Sequence, residues 1–271
     1  MMSLVNALPG AVAQGLIWGI MAIGVYLTFR ILDIADLTVD GSLGTGGAVC
    51  IMLMLSGQNV WVSMAGATAA GMAAGLATGI LHTFMGIPAI LAGILTQLGL
   101  YSINLKTMGK ANQAINVDKY DLLVSLRFIR KVPFYRNTIL MVAITIIILI
   151  AVLYWFFGTE LGCSLRATGC NDKMARAQGI NTDLSRVLGL MISNGLVALS
   201  GAMLCQYQGF ADINMGRGAI VIGLAAVIIG EAIFGKIFRN FGLKLLGVAL
   251  GSIIYYLVLQ VVIWMGIDTD L

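Results

Sequence analysis

The residues that could catalyse a reaction or bind a metal ion are few and far apart in this 271-residue sequence. The sequence contains one histidine, His82, and four cysteines that form no Cys-x-x-Cys pair: Cys50, Cys163, Cys170 and Cys205. A zinc site needs four ligands at short spacings, and an enzyme needs a nucleophile and a base within reach of each other. We therefore expect no metal site, no catalytic residues and no enzymatic activity in this chain.

One segment fits most of a nucleotide-binding motif. Residues 230–236 read Gly-Glu-Ala-Ile-Phe-Gly-Lys and match the first seven positions of a phosphate-binding P-loop, but Ile237 replaces the required Ser or Thr. The motif also follows a strand, whereas an apolar, membrane-type segment precedes it here. We expect that this chain holds no cofactor, and that any ATP and magnesium it depends on are bound by another chain.

Polar side chains inside apolar segments are the next candidates. Glu231 ends such a segment about one turn from Lys236, which predicts a local ion pair near the membrane surface rather than a functional site. Five uncharged side chains could line a path through a membrane or could equally form hydrogen bonds between helices: Gln97, Asn104, Asn194, Gln206 and Gln208. We retain Gln97 and Asn194 as candidate path residues.

The elements that position these residues are expected to lie in lipid. Hydrophobic residues make up 59% of the chain and charged residues only 10%, whereas soluble domains carry about 25% charged residues. The basic residues lie in short loops and form no stripe, so we expect no nucleic-acid partner. The first charged residue is Arg30, so the N-terminus lacks the positive region of a signal peptide, and its apolar block is interpreted as a retained span.

Apolar stretches predict eight membrane-spanning segments, because a helix needs about 20 apolar residues to cross the hydrocarbon core. They lie near 11–29, 42–56, 59–81, 87–105, 137–159, 187–208, 218–235 and 245–267. The predicted fold is therefore an all-α, polytopic membrane protein, with residues 1–271 as one transmembrane domain. Glycines spaced four apart, as at Gly71, Gly75 and Gly79, predict close helix packing within one chain or between two.

The second segment, at 42–56, differs from the others. It is short and follows a glycine-rich stretch that begins at Asp40, Gly41 and Ser42, and glycine costs about 1 kcal/mol relative to alanine inside a helix. We therefore expect a short or broken helix. Irregular backbone persists at membrane depth only where protein or a water-filled cavity surrounds it, which makes these three residues candidates for a translocation path. A re-entrant loop with no role in transport is the alternative.

The polar stretch at 158–186 is predicted to contain a short helix with clear boundaries. Asn171 is a good N-cap, Asp172 suits the first turn, and Gly179 is a good C-cap. The enclosed two turns carry Met174 and Ala175, and a short helix with a small, apolar centre suits insertion into a groove on a partner. A plain connecting helix is an equal alternative from these residues alone.

The same stretch resembles the cytoplasmic coupling loop of permeases in the branched-chain amino acid and ribose class of ATP-binding-cassette importers. The resemblance rests on Leu165-Arg166-Ala167, Gly169, Asn171, Ala175 and Gly179-Ile180-Asn181, and it continues through Gly195 and residues 198–202. Residues 34–42, Ile-Ala-Asp-Leu-Thr-Val-Asp-Gly-Ser, are similar to a subgroup found beside lipoprotein binding subunits. The resemblance covers nearly the whole chain.

This resemblance implies a permease of the bacterial cell membrane that pairs with a second permease copy. It also implies two ATPase subunits on the cytoplasmic side and an external binding protein or lipoprotein that delivers the solute. Amino acids, aromatic or branched-chain, are the first expectation for that solute, and sugars or nucleosides the second. The residues expected to contact the ATPase are Arg166, Ala167, Gly169, Asn171, Met174, Ala175, Gly179, Ile180 and Asn181.

Charge hardly decides the orientation of the chain. The loop at 106–137 carries seven basic residues and lies opposite the face that carries 158–186, on which we count eight. The resemblance places 106–137 outside, where Arg127, Arg130 and Lys131 would dock an acidic face of the binding protein. Related permeases usually continue with a further apolar span after the position of Leu271, so Asp268 and Asp270 are expected outside, before such a span.

Three alternatives to an importer remain open from the sequence. A secondary transporter or channel acting alone predicts charged residues in the middle of spans, which are nearly absent from the sequence. An intramembrane enzyme predicts a paired catalytic constellation, which we do not find. A structural membrane scaffold is compatible with the sequence.

Overall fold

The structure, a computed structural model, describes residues 2–115, 120, 122–125 and 137–265, and α-helices make up almost all of this part. The helices are α1 Met2–Tyr26, α2 Thr38–Leu55, α3 Val60–Thr83, α4 Ala89–Met108, α5 Thr138–Phe156, α6 Glu160–Cys170, α7 Asp172–Ala177, α8 Thr182–Gln208, α9 Ala219–Phe234 and α10 Phe241–Trp264. A π-helical turn, Leu27–Ile31, extends α1, and two short strands, β1 Asn112–Ala114 and β2 Phe210–Asp212, pair with each other.

The predicted all-α, polytopic membrane fold is confirmed. Within the described ranges, seven helices are long and apolar enough to cross a membrane: α1 with its π-helical turn, α2, α3, α4, α5, α8 and α10. The remaining predicted segment, at 218–235, corresponds to α9, an apolar helix of 16 residues. The predicted count of about eight segments is therefore correct, and one of them is shorter than a full span.

From α1 to α8 the long helices run alternately in opposite directions, whereas α10, which follows the shorter α9, runs in the same direction as α8. The bundle has two ends. We call the end that carries α6 and α7 the α7 face, and the end that carries β1 and β2 the sheet face. At the α7 face, the rings of Phe157 after α5 and Phe241 in α10 lie 4.8 Å apart. At the sheet face, β1 follows α4 and pairs antiparallel with β2, which follows α8, with Gln113 opposite Ala211. Strands of three residues carry too little periodicity to be predicted from sequence.

The glycine rows bring helices of this one chain together. An added β-carbon on Gly75 would lie 2.9 Å from the Cα of Met191, and one on Gly79 would lie 3.0 Å from the Cα of Val187, so α3 packs backbone to backbone against α8. The same holds for α2, where a β-carbon on Gly46 would lie 2.6 Å from the Cα of Ala198. Glycine is needed at these positions because any side chain would separate the helices.

The irregular backbone predicted near α2 lies before this helix and not within it. At 18 residues, α2 is the shortest of the seven long helices in the described part of the chain, but it is continuous from Thr38 to Leu55. Its glycines do not break it because they pack against neighbouring helices, Gly41 against α4 and Gly46 against α8. The chain between Leu32 and Leu37 is non-helical instead.

The expected ion pair between Glu231 and Lys236 is wrong, because Glu231 accepts a hydrogen bond from Nε of Arg30 at 3.0 Å. This contact joins α9 to the π-helical turn, a neighbour that sequence distance does not reveal. The predicted docking residues Arg127, Arg130 and Lys131 and the terminal Asp268 and Asp270 lie outside the described residues.

Candidate functional site

A cavity of 310 Å³ lies where the start of α2, the middle of α4 and the segment before α9 meet. It contains three of the five candidate path residues, Asp40, Gly41 and Gln97. Its full lining is Asp40, Gly41, Gln97, Leu98, Tyr101, Asn104, Ile213 and Arg217. Charged, amide and aromatic groups thus share one cavity in a chain that is otherwise strongly apolar.

The cavity lies near the middle of the bundle. An added β-carbon on Gly41 would lie 3.1 Å from the Cα of Gln97, so the start of α2 is level with this part of α4. At a rise of 1.5 Å per residue, Gln97 lies about 12 Å along α4 from Ala89 and about 16 Å from Met108. The polar groups are therefore roughly equally far from both ends of α4.

Asp40 joins α2 to the start of α9. Its Oδ2 accepts a hydrogen bond from the backbone N–H of Gly218 at 3.1 Å, and its Oδ1 accepts one from Ile220 at 2.9 Å. This carboxylate therefore accepts from two of the free N–H groups at the start of α9, and its negative charge lies at the positive end of that helix's dipole. Because Asp40 lies at mid-depth, α9 also begins there, and the chain from Ile213 to Gly218 descends from β2 to reach it. The α9 segment is therefore a discontinuous membrane element.

Two cavity residues were not selected from the sequence. Arg217 precedes the turn at Gly218 and has no carboxylate within 4.0 Å in the described part of the chain. Asn104 is only 3% exposed, and its side chain forms no hydrogen bond with any described residue. Asn104 appeared among five equivalent amides, and Arg217 lies in a segment that looked like a loop, so neither carried a distinguishing signal.

The other two candidate path residues, Ser42 and Asn194, lie in a buried hydrogen-bond network. The hydroxyl of Ser42 donates to Oδ1 of Asn194 at 2.6 Å, and Nδ2 of Asn194 donates to Oδ2 of Asp36 at 2.7 Å. Oδ1 of Asp36 accepts from the backbone N–H of Thr38 at 2.9 Å. All four residues are buried. The structure thus places Ser42 and Asn194 in contacts between α2, α8 and the preceding segment, and not in the cavity wall.

At the α7 face, the predicted short helix is present with its caps. Oδ1 of Asn171 accepts a hydrogen bond from the N–H of Met174 at 3.1 Å, and Gly179 adopts the left-handed conformation, with φ of 82°. Asn181 then caps α8 by accepting from the N–H of Leu184 at 3.1 Å. These local hydrogen bonds are the ones that the residue types predict.

The nine candidate coupling residues differ in whether they contact their own chain or are exposed at the α7 face. Arg166 turns into its own chain, where it donates to the carbonyl oxygen of Phe157 and lies 5.7 Å from the ring centroid of Phe241. Gly169 packs against the backbone at Ile31, and Ala175 is buried at 3% exposure. Ala167 and Ile180 are partly exposed, and the outward-facing members are Asn171, Met174, Gly179 and Asn181.

Charges hold this region in place. Asp172 lies 3.3 Å from Nη2 of Arg186, and Asp183 lies 2.9 Å from Nη2 of Arg176. Burial favours a higher pKa for Asp172, but a hydrogen bond from Thr182 and the guanidinium groups of Arg186 and Arg176 lower that pKa below its ordinary value of 3.8. The carboxylate therefore stays ionised at neutral pH and links α7 to α8.

A short route connects the α7 face to the cavity. An added β-carbon on Gly169 in α6 would lie 2.9 Å from the Cα of Leu32 and closer still to the carbonyl oxygen of Ile31. The non-helical segment that begins at Leu32 carries Asp36 and leads into α2, whose third residue is Asp40. One direct contact and the non-helical residues from Leu32 to Leu37 therefore join α6 to the start of α2.

Potential metal ligands do not cluster in the described ranges, where no group of three or more His, Cys, Asp or Glu side chains lies together. The single histidine has a local role instead. Nδ1 of His82 lies 2.9 Å from the carbonyl oxygen of Ile87 and connects the end of α3 to the turn before α4.

Comparison with known proteins identifies the family. Residues 8–271 match the family described as branched-chain amino acid transport system, permease component. The tyrosine transport system permease protein of Clostridioides difficile is 37% identical over 267 residues, which cover 98% of this chain and 86% of that protein. An uncharacterised protein of Rickettsia prowazekii is 35% identical over 265 residues, covering 97% of this chain and 91% of that protein.

A third relative is more distant. The autoinducer 2 import system permease protein LsrC of Yersinia pestis is 30% identical over 214 residues, which cover 78% of this chain and 58% of that protein. The apolar helices and the family match describe a multi-pass protein of the bacterial cell membrane. The chain therefore belongs to the branched-chain amino acid transport permeases, the membrane-spanning components of ATP-binding-cassette importers for small solutes.

Proposed function

We propose that this permease moves an amino acid through the cavity at Asp40 after an external binding protein or lipoprotein delivers it. The observation that carries this proposal is the group of polar and charged side chains at mid-depth, beside the discontinuous start of α9. Transporters commonly bind their solutes near the membrane midplane, where interrupted helices expose polar groups. ATP and magnesium would be held by partner ATPase subunits, and this chain would contribute no cofactor site.

Tyrosine is the first solute we propose. A relative that is 37% identical over nearly the whole chain is named as a tyrosine transport permease, and the family description names branched-chain amino acids. The ring of Tyr101 and the side chains of Leu98 and Ile213 border the charged groups of the cavity. These groups suit an aromatic or branched aliphatic side chain.

The α7 face is proposed as the cytoplasmic surface that contacts the ATPase. Asn171, Met174, Gly179 and Asn181 would touch the partner, because they are exposed, and Met174 is 61% exposed. Arg166, Gly169 and Ala175 would position α6 and α7 from inside. Ala167 and Ile180 would border the contact.

The proposed transport cycle uses the short route from Gly169 to Asp40. ATP binding would close the ATPase subunits and shift α6 and α7, and the contact of Gly169 with Leu32 would pass this movement to the start of α2. Because Asp40 holds α9 by two hydrogen bonds, the wall of the cavity would move with it. The energy would come from the preference of the ATP-bound partner for one of two permease states.

A second copy of this chain is proposed to cover α4. The cavity is open beside Leu98 and Tyr101, which are 63% and 42% exposed. Charged groups that face lipid at mid-depth cost several kcal/mol, so Asp40 and Arg217 need a protein or water surface there. A homodimer with the solute path between its two copies meets this need.

The proposal can be tested by co-purification of the ATPase from cells that express the whole operon. Met174→Glu should release the ATPase, because it places a charge on the exposed centre of α7. Met265→Glu is a matched control, since Met265 is similarly exposed, at 63%, but lies near the sheet face. Ala175→Arg would be a poor test because Ala175 is buried within its own chain.

Release by Met174→Glu alone supports the α7 face as the ATPase contact. Failure of the wild-type permease to bring down an ATPase, or equal release by both variants, contradicts it. The solute is tested separately by ATP-dependent uptake of radiolabelled L-tyrosine into proteoliposomes that contain the permease, the ATPase and the binding protein. Absence of uptake for L-tyrosine, L-phenylalanine and L-leucine would contradict an amino-acid solute.

A further inference from the structure

We propose that the cavity recognises the zwitterionic backbone of an amino acid, with Arg217 binding the carboxylate and Asp40 binding the ammonium group. This inference rests on the proposed function and adds the binding mode and the chemical class that the site selects. Asp40 and Arg217 are the two charged residues of the lining, and they carry opposite signs.

The two charges face one cavity without neutralising each other. Arg217 has no carboxylate within 4.0 Å among the described residues, so it does not form an ion pair with Asp40. An unpaired charge at the depth of a membrane is unfavourable, and a pair at closer distance would relieve this. A ligand that carries both signs would compensate both charges at once.

The protein engages only part of the hydrogen-bonding capacity of these groups. The Asp40 carboxylate accepts bonds from Gly218 and Ile220, but an ionised carboxylate offers about four acceptor positions. The guanidinium group of Arg217 can bind a carboxylate through two parallel bonds. The start of α9 is not itself the anion site, because Asp40 already satisfies it.

A third polar group supports a ligand at this place. The side chain of Asn104 is 3% exposed, lines the cavity and forms no hydrogen bond with any described residue. The amide nitrogen and oxygen of Asn104 are not fully buried, so they are accessible from the cavity and can form hydrogen bonds with a ligand there. Its Nδ2 would lie 3.3 Å from an added β-carbon on Gly44, which places the amide beside α2.

Charge balance selects the class of solute. The lining carries one positive and one negative side chain, so an anionic or cationic solute leaves one of them without a counter-charge. An uncharged sugar leaves both without one. A zwitterion compensates both, and a cavity of 310 Å³ lies at the lower end of the range of about 300–1,000 Å³ that small-molecule sites show.

The test measures binding to the permease–ATPase complex in nanodiscs without the binding protein, so that the permease alone discriminates. The probes are L-tyrosine, tyramine, which lacks the carboxylate, and 3-(4-hydroxyphenyl)propanoate, which lacks the ammonium group. We expect both analogues to bind the wild-type complex roughly tenfold or more weakly than L-tyrosine, as expected for loss of a charge-assisted contact.

Two variants assign each end of the ligand. Arg217→Gln should lower the affinity for L-tyrosine to that for tyramine and leave tyramine binding unchanged. Asp40→Asn should lower the affinity for L-tyrosine to that for 3-(4-hydroxyphenyl)propanoate. It should leave the binding of that analogue unchanged. Lys110→Gln is the control, because it removes a positive charge from an exposed residue just beyond α4, outside the cavity. If Asp40→Asn disturbs α9, Arg217→Gln still decides the question, since the Arg217 side chain forms no hydrogen bond or ion pair with any residue that the structure describes.

Equal binding of all three probes to the wild-type complex, no binding of any of them, or equal weakening of L-tyrosine and tyramine by Arg217→Gln would overturn the inference. These outcomes are separable from the proposed function, which ATP-dependent uptake tests. Uptake of L-tyrosine without discrimination in the binding assay removes only the zwitterion site. Selective binding as described supports the site even before transport is measured.

Discussion

Gly169 in α6 lies directly against the backbone of Leu32, so that an added β-carbon would be 2.9 Å from the Leu32 Cα. This contact joins the exposed α7 face to the segment that leads into α2 and the cavity. It has no space for a side chain. In the proposed transport cycle, it passes the movement of α6 and α7 to the start of α2.

Gly169→Ala should therefore destabilise the chain and weaken coupling. Forcing a methyl group into a close-packed contact costs about 1–3 kcal/mol, because the backbone at Ile31 and Leu32 must shift. We expect a lower thermal unfolding midpoint in detergent and less solute transported per ATP. Gly10→Ala is the control, since a β-carbon there would make only an ordinary van der Waals contact, 3.7 Å from the hydroxyl oxygen of Tyr207. Unchanged stability and transport in Gly169→Ala would contradict a tight contact.

Asn194→Ala should destabilise the chain because it removes the side-chain amide that donates a hydrogen bond to Oδ2 of Asp36. Loss of a hydrogen bond to a buried carboxylate lowers the free energy of unfolding by about 1–3 kcal/mol or more. The free energies lost in Asn194→Ala and Asp36→Ala should sum to more than the loss in the double variant, because the residues are in contact. Asn59→Ala, at an exposed N-cap whose side chain forms no cap hydrogen bond, serves as the control. Additive losses would argue against the network.

Acid should weaken the contact between α7 and α8. The pKa of Asp172 is lowered in the folded chain, so its contribution to stability is present above the ordinary value of 3.8 and is lost as pH falls through the lowered pKa. The stability advantage of the wild type over Asp172→Asn should be constant from pH 7 to 5 and be lost progressively as the pH falls below 3.8 and through the lowered pKa of Asp172. Exposed ion pairs are worth about 0.2–1 kcal/mol each, so a small shift of the unfolding midpoint is expected.

Asp33→Asn provides the comparison for this measurement. Asp33 is exposed, forms no ion pair with a described residue and has φ of 56°, a conformation that asparagine also tolerates. Asp33→Asn therefore removes a carboxylate without removing an ion pair between described residues, and it serves as the control. If Asp172→Asn and Asp33→Asn behave alike across this range, the ion pairs of Asp172 contribute nothing to stability.

A native cysteine can establish which side of the membrane carries the α7 face. Cys170 is exposed at the end of α6, whereas Cys50 and Cys205 are buried. In a Cys163→Ser background, a membrane-impermeant maleimide should label Cys170 in inside-out vesicles and not in intact cells. The buried pair provides the internal control. Labelling from outside the cell would place α7 on the external side and contradict an ATPase contact there.

Local chemistry made much of this protein predictable. The length and hydropathy of each apolar stretch indicated the long helices, because the membrane thickness requires about 20 residues. Asn171 and Gly179 bounded α7 as expected, because capping involves only neighbouring residues. The glycine rows predicted close helix contacts, but not which helices they join.

The relationships across the chain needed the tertiary structure. Glu231 pairs with Arg30 and not with Lys236 because α9 packs beside the end of α1. The amides of Gln97 and Asn194 look alike in sequence, yet one lines the cavity and the other binds Asp36, because depth and rotation of α4 and α8 decide their surroundings.

The sequence by itself determined a polytopic helical chain, its capped helix at 171–179 and its family resemblance. Only the tertiary structure decided that α9 begins at mid-depth on Asp40 and that Arg217 and Asn104 join Gln97 in one cavity. The physical reason is that hydropathy and capping depend on adjacent residues, whereas a cavity depends on how helices distant in sequence pack. Charge complementarity in the membrane is therefore visible only after the fold is known.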